Sequence, residues 1–189
     1  MDFNYKVLNN QIFSNGKYAI VPIRMEDRHM IRKWRNEQIF HLRQNKVLSE
    51  EDQDNYFNTV VASLFSQEHP SQILFSYLDG DTCIGYGGLV HINWVDKNAE
   101  ISFITNTAIK NEQYEFHFSN FLSLIDEVAC IELGFHKIFT YAFDVRPDIY
   151  PMLEKNGFNR EAVLKEHCFF NGGFKDVIIH SKFNSIDKP

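Results

Sequence analysis

Alternating apolar and polar residues set out most of the elements. Tyr18-Ala19-Ile20-Val21-Pro22-Ile23-Arg24 predicts a first strand, with Pro22 at an edge or a strand end. Glu26 and Asp27 open a helix running to about Asn36, with Met30, Ile31 and Trp34 at helical spacing toward the core. Ser49-Glu50-Glu51-Asp52 resembles a capping box, and the helix behind it carries Tyr56, Phe57, Val60, Val61, Leu64 and Phe65 on one face before His69-Pro70. Gln72 to Leu78 and Cys83 to Ile92 read as two strands joined by the turn Asp79-Gly80-Asp81. Gly85, Gly87 and Gly88 within the second strand predict a bulge, or a close approach by a ligand or another backbone.

Ala99 to Thr105 alternates again as a strand, Asn106 to Gln113 is polar, and Tyr114 to Leu133 is a long apolar run stopped by Gly134. Strand, loop and helix in that order can place backbone N–H groups and a helix dipole beneath an anion. Lys137 to Phe143 is a further strand, and Pro147 to Asn156 a short helix closed by Gly157. Pro151 requires that helix to start late or to be distorted. About Val163–Phe170 and Phe174–Phe183 form a final hairpin around Asn171-Gly172-Gly173. Residues 1–16 are polar with turn signals and read as an extension with a short strand or hairpin. With no repeat or linker, residues 1–189 are expected to form a single α+β domain around a mostly antiparallel sheet.

Composition narrows the function. The 189 residues include 18 phenylalanines, so bulky rings must fill the core or line a cleft. A formal charge of −6 argues against a general nucleic-acid binder, which needs a basic face. Cys83, Cys130 and Cys168 have no paired spacing, which reads as reduced thiols of a cytoplasmic protein. Neither a signal peptide nor a membrane-spanning run is evident. His91, His117 and His167 lack ligand-like spacing, so no metal site is expected.

Five segments in order resemble the acetyl-CoA-dependent N-acetyltransferase (GNAT) superfamily over roughly residues 17–183. They are Ile31-Arg32-Lys33-Trp34-Arg35-Asn36, Cys83-Ile84-Gly85-Tyr86-Gly87-Gly88-Leu89, Ala99-Glu100-Ile101, Glu132-Leu133-Gly134-Phe135-His136-Lys137-Ile138 and Leu153-Glu154-Lys155-Asn156-Gly157-Phe158. The first is similar to the "WRN" helix of members that acetylate nucleotide-linked amino sugars. The resemblance implies six to seven strands flanked by about four helices. It also implies acetyl-CoA as acyl donor and a primary amine as acceptor, with an amino sugar leading and a protein N-terminus second. The expected partner is thus a small-molecule amine, and a homodimer is left open.

By the same resemblance Phe103, Ile104 and Thr105 would pair with the pantetheine arm. The pyrophosphate loop would fall on Gln113-Tyr114-Glu115-Phe116-His117-Phe118, where Phe116 and Phe118 occupy positions that are small in the family. A benzyl group obstructs close backbone approach to a phosphate. Glu112 and Glu115 add charge there; at an effective dielectric of about 20, like charges about 5 Å apart repel by about 3 kcal/mol. Glu100 stands where relatives hold a base that works through water. Leu153 replaces the usual tyrosine acid, with Tyr150 almost one turn earlier as substitute. Arg146 replaces an asparagine and can pair with a phosphate or carboxylate. Trp34, Arg35, Asn36, His41 and Arg43 fall where relatives shape the acceptor pocket, and His91 is a further substrate contact or proton relay. The substitutions at Phe116, Phe118 and Leu153 leave a second class open, a binding or regulatory protein on the same fold that does not use CoA in the usual way.

Overall fold

The structure is a computed structural model and describes residues 3–184. Its sheet has eight strands, where six to seven were expected, in the order β1-β2-β3-β4-β5-β6-β8-β7. These are β1 Phe13–Asn15, β2 Tyr18–Pro22, β3 Ile73–Asp79, β4 Thr82–Asn93, β5 Asn98–Thr105, β6 Lys137–Phe143, β7 Asn159–Phe170 and β8 Gly173–Phe183. All neighbours are antiparallel except β5 and β6. The extra strand is β1, which hairpins onto β2 through Gly16 in the left-handed region (φ 62°). The expected extension is thereby part of the core: Tyr5, Leu8 and Phe13 are buried, and the Tyr5 hydroxyl both donates to the Leu74 carbonyl and accepts from its N–H.

Helix α1 spans Arg28–Glu37 and buries Ile31 and Trp34. Met30, expected to face the core, is exposed, because it lies at the margin of the stripe those two define. Helix α2, Glu50–Tyr56, starts on a complete capping box: the Ser49 hydroxyl accepts from the Asp52 N–H, and the Asp52 carboxylate accepts from the Ser49 N–H. A π-helical turn, Phe57–Val61, joins it to the short α3, Ala62–Leu64. The wider turn brings Phe57, Val61 and Leu64 inward and leaves Val60 exposed, contrary to the single face expected.

The long helix α4 spans Asn111–Asp126 and continues as a π-helical segment, Glu127–Glu132. It begins before Tyr114, so Gln113 to Phe118 are helical and not a loop. No glycine breaks the pattern there, and Lys110 in extended conformation serves as the N-cap. Helix α5, Ile149–Lys155, starts late as Pro151 requires, with the proline in the first turn where no N–H is needed.

The two sheet faces have distinct cover. Tyr77 and Phe103 pack on Phe121 of α4, whereas Tyr86 meets Arg35 of α1 on the other face. Gly87 explains itself here: a Cβ would stand 2.1 Å from the Ser102 carbonyl oxygen and 2.9 Å from both the Phe103 Cα and the Phe121 ring. A Cβ on Gly88 would stand 2.0 Å from the Ile73 carbonyl oxygen. The approach that these glycines permit is therefore by neighbouring strands and a ring.

Candidate active site

Strands β5 and β6 pair only between Asn98–Glu100 and Lys137–Phe139, and then part. The parting opens a cleft of about 540 Å³, with Glu100 to Ile104 on one wall and Thr140 to Phe143 on the other. A second chamber of about 380 Å³ lies beneath α1 and α2, and Arg35, Gln72, Val90 and Ser102 line both. Ile23, Ile31, Phe57 and Leu74 give this second chamber apolar walls.

Glu100 sits where the strands separate. Its side chain is only 8% exposed; Oε1 accepts from the Arg43 guanidinium, and Oε2 lies 3.9 Å from His91 Nε2. Burial pushes its carboxyl above the ordinary range, with Arg43 and His91 offsetting part of that push. A bulge supplies the histidine: Val90 pairs with Glu100 and Asn93 with Asn98, leaving two β4 residues opposite Ala99. His91 occupies that bulge at φ 49°.

Opposite, the Arg43 guanidinium lies 4.6 Å from the Tyr141 ring centroid. Arg35 donates to the Tyr86 hydroxyl at 2.6 Å and to Gln44 at 3.0 Å. Arg146 completes a set of three arginines in the cleft lining. Burial and the Arg146 charge push His41 down to about 3, so it is a neutral imidazole at ordinary pH, and its buried Nε2 has no hydrogen-bond partner. The Thr140 hydroxyl is likewise buried and without a partner on the cleft wall.

The residues of the "WRN" segment divide their labour. Trp34 is buried in the core and does not line the cleft. Arg35 stands at the junction of the two chambers. Asn36 braces the scaffold and is outside the cleft lining: its amide donates to the Leu48 carbonyl and its oxygen accepts from the Leu48 N–H, both at 2.9 Å. That clamp fixes the connection bearing His41 and Arg43.

The proposed cofactor residues divide as well. Phe103, Ile104, Tyr114, Phe118 and Arg146 line the cleft. Thr105 does not; it is buried, and its carbonyl accepts from the Gln38 amide at 2.9 Å. Because 113–118 is helical, its side chains point in different directions. Tyr114 and Phe118, one turn apart, stack with centroids 5.7 Å apart, and Phe118 stacks on Phe103 at 5.9 Å. Phe116 and His117 turn toward Tyr18, and His117 Nδ1 lies 3.3 Å from the Tyr77 hydroxyl, away from the cleft. Gln113 is exposed outside the cleft lining. Glu115 is paired with Lys155 at 2.5 Å, which relieves the expected repulsion.

Tyr150 stacks on His180 and its hydroxyl donates to Asp144 at 2.8 Å, outside the cleft lining. Burial and the Asp144 hydrogen bond raise it far above a phenol's ordinary value. Proton donation to a thiolate in the cleft is therefore not its task in this arrangement. Tyr141, which reads in the sequence only as a strand aromatic, lines the cleft wall together with Tyr114.

The described helices include none long and apolar enough to cross a membrane. No curated protein sequence matches the chain. Among solved structures, spermidine N-acetyltransferase SpeG from Vibrio cholerae in complex with CoA and spermine is 19% identical with a TM-score of 0.76, covering 90% of this chain and 98% of that one. A SpeG chimera from Vibrio cholerae and hSSAT is 19% identical with a TM-score of 0.75, covering 91% and 99%. A third, SpeG from Vibrio cholerae in complex with manganese ions, is 19% identical with a TM-score of 0.73, covering 90% and 94%. These likenesses establish a shared fold. The acetyltransferase (GNAT) domain family matches residues 20–179, and the chain belongs to that family of acetyl-CoA-dependent N-acetyltransferases.

Proposed function

We propose that the chain transfers an acetyl group from acetyl-CoA to the primary amine of a small anionic acceptor, with a nucleotide-linked or phosphorylated amino sugar as the leading class. The cleft charge carries this reading: Arg35, Arg43 and Arg146 face a single carboxylate, Glu100, among the lining residues. A polycation such as the spermine of the structural neighbour meets like charge here, at about 3 kcal/mol for each pair about 5 Å apart at an effective dielectric of about 20. A phosphate meets planar guanidinium forks.

The parted strands suit the extended arm of acetyl-CoA. Phe103 and Ile104 would hold the arm, and Arg146 would face its phosphates. The bound thioester supplies an activated acyl carbon. Glu100 takes the ammonium proton through water, and its raised carboxyl makes it a stronger base than an exposed glutamate. The freed amine nitrogen bonds to the acyl carbon as the carbon–sulfur bond breaks, and the nitrogen gives up its second proton to water to leave the neutral amide. The departing thiolate takes a proton from solvent or from the Tyr141 hydroxyl, and Tyr150 has no part. The second chamber, with apolar walls and Arg35, Gln53, Gln72 and Ser102 at its polar side, would receive part of the acceptor's uncharged body.

Thiol release from acetyl-CoA, measured against a panel of amines, tests the reading. Glucosamine 6-phosphate or a nucleotide-linked amino sugar should be acetylated in preference to spermidine and to a peptide with a free N-terminus. Faster turnover of spermidine would overturn the anionic acceptor.

A further inference from the structure

A carboxylate that receives a proton from an acceptor must present a free lone pair to it. Glu100 does so through Oε2 at rest, but Arg43 donates to Oε1 and its positive charge weakens the base. The two partners are unequally placed: the Arg43 side chain is 45% exposed and that of Glu100 is 8% exposed. Arg43 belongs to the connection between the 3-10 turn Ile39–His41 and α2, and it reaches across the cleft from β5 to the Tyr141 ring on β6. His91 from the β4 bulge, Arg43 from this connection and Tyr141 from β6 are the charged or titratable groups that act on Glu100. Arg43 alone makes a hydrogen bond to it, since His91 stays 3.9 Å away.

The geometry points to Arg43 as an acceptor-responsive latch on Glu100: it holds the carboxylate at rest, and the anionic group of an entering acceptor draws it off. This rests on Glu100 being the base. The exchange replaces one charge-assisted pair by another, so it costs little in number of bonds. A phosphate engages the guanidinium fork through two oxygens and competes well with the single carboxylate oxygen. The Tyr141 face can carry the guanidinium as it moves. An amine without an anionic group leaves Arg43 in place and meets a weakened base. Arg43 is then a positioning residue that converts acceptor charge into turnover, a discrimination expressed in kcat as well as KM.

The test follows the Glu100 carboxyl resonance in 13C-labelled protein through a pH titration, with and without inorganic phosphate. Arg43→Gln should raise the Glu100 midpoint by about one pH unit or more, as loss of an adjacent opposite charge does. Phosphate should move the natural protein in the same direction and leave Arg43→Gln unmoved. If phosphate shifts both equally, the anion acts by its own charge and the latch is wrong; no shift in either overturns it too. Arg43→Lys, with charge but no fork, should leave the resting midpoint nearly unchanged and respond less to phosphate. In turnover, the preference in kcat/KM for glucosamine 6-phosphate over glucosamine should fall at least tenfold in Arg43→Gln, and an unchanged preference overturns the proposal. Full activity of Glu100→Gln would remove the base and leave the titration result standing, so the two failures are distinguishable.

Discussion

At Glu100, burial favours the protonated carboxyl in the folded chain, whereas unfolding returns the side chain to water. A carboxyl raised on folding contributes stability that is complete below its unfolded value and is lost as pH rises through its folded one. Glu100→Gln should therefore melt higher than the natural protein at pH 8, with the difference vanishing near pH 4 in scanning calorimetry. The same substitution should lower kcat by about 100-fold or more, the range that loss of a general base gives, with little change in KM for acetyl-CoA. A variant both more stable and nearly inactive marks a group held against its own solvation for use. Glu100 was legible in the sequence as a carboxylate on a central strand. Arg43 was legible only as a cation nearby, because the contact joins residues 57 positions apart. Tyr150 shows the reverse: its spacing suited an acid, but Asp144 holds its hydroxyl outside the cleft.

At the scale of elements, two local devices hold the site in shape. The capping box at Ser49 and Asp52 fixes the start of α2, and Ser49→Ala should cost about 1 kcal/mol in urea unfolding. The Asp52 carboxyl is pulled down to about 2 by the Ser49 N–H and Lys46. Its support is therefore present above the ordinary carboxylate range and is lost as pH falls toward 2. The close pairing of β4 and β5 depends on Gly87. Gly87→Ala drives a methyl into the Ser102 carbonyl and the Phe121 ring, and should cost about 3 kcal/mol. Gly134→Ala, with open space around it and only a left-handed backbone to strain, should cost about 1 kcal/mol by the same measurement. Strands and the capping box were readable because both are set by residues within a few positions. The start of α4 was misplaced because polar residues 106–113 look like loop, although their last three extend the helix without a break.

Over the whole molecule, a chain of formal charge −6 carries three arginines in its cleft. That separation favours anionic ligands at the cleft over the rest of the surface. Raising the salt from about 0.05 to 0.5 M shortens the screening length from over 10 Å to under 5 Å, so KM for acetyl-CoA and for a phosphorylated acceptor should both rise. An amine without an anionic group should show no such rise. Initial rates at fixed pH check this, and equal salt responses would refute a cationic cleft as the source of selection.

The sequence by itself determined the strand and helix order, the fold class and the family, since periodicity, turns and motif order are local or ordered features that survive without knowledge of contacts. The family resemblance also pointed to Glu100 as the candidate base. Only the tertiary structure decided what surrounds that group. The parting of β5 and β6 brings residues from α1, the connection after it, β4 and β6 to one cleft, and no spacing along the chain records such convergence. Phe118 packs inward with Tyr114 and Phe116 turns away, because a helix spreads successive side chains around its axis.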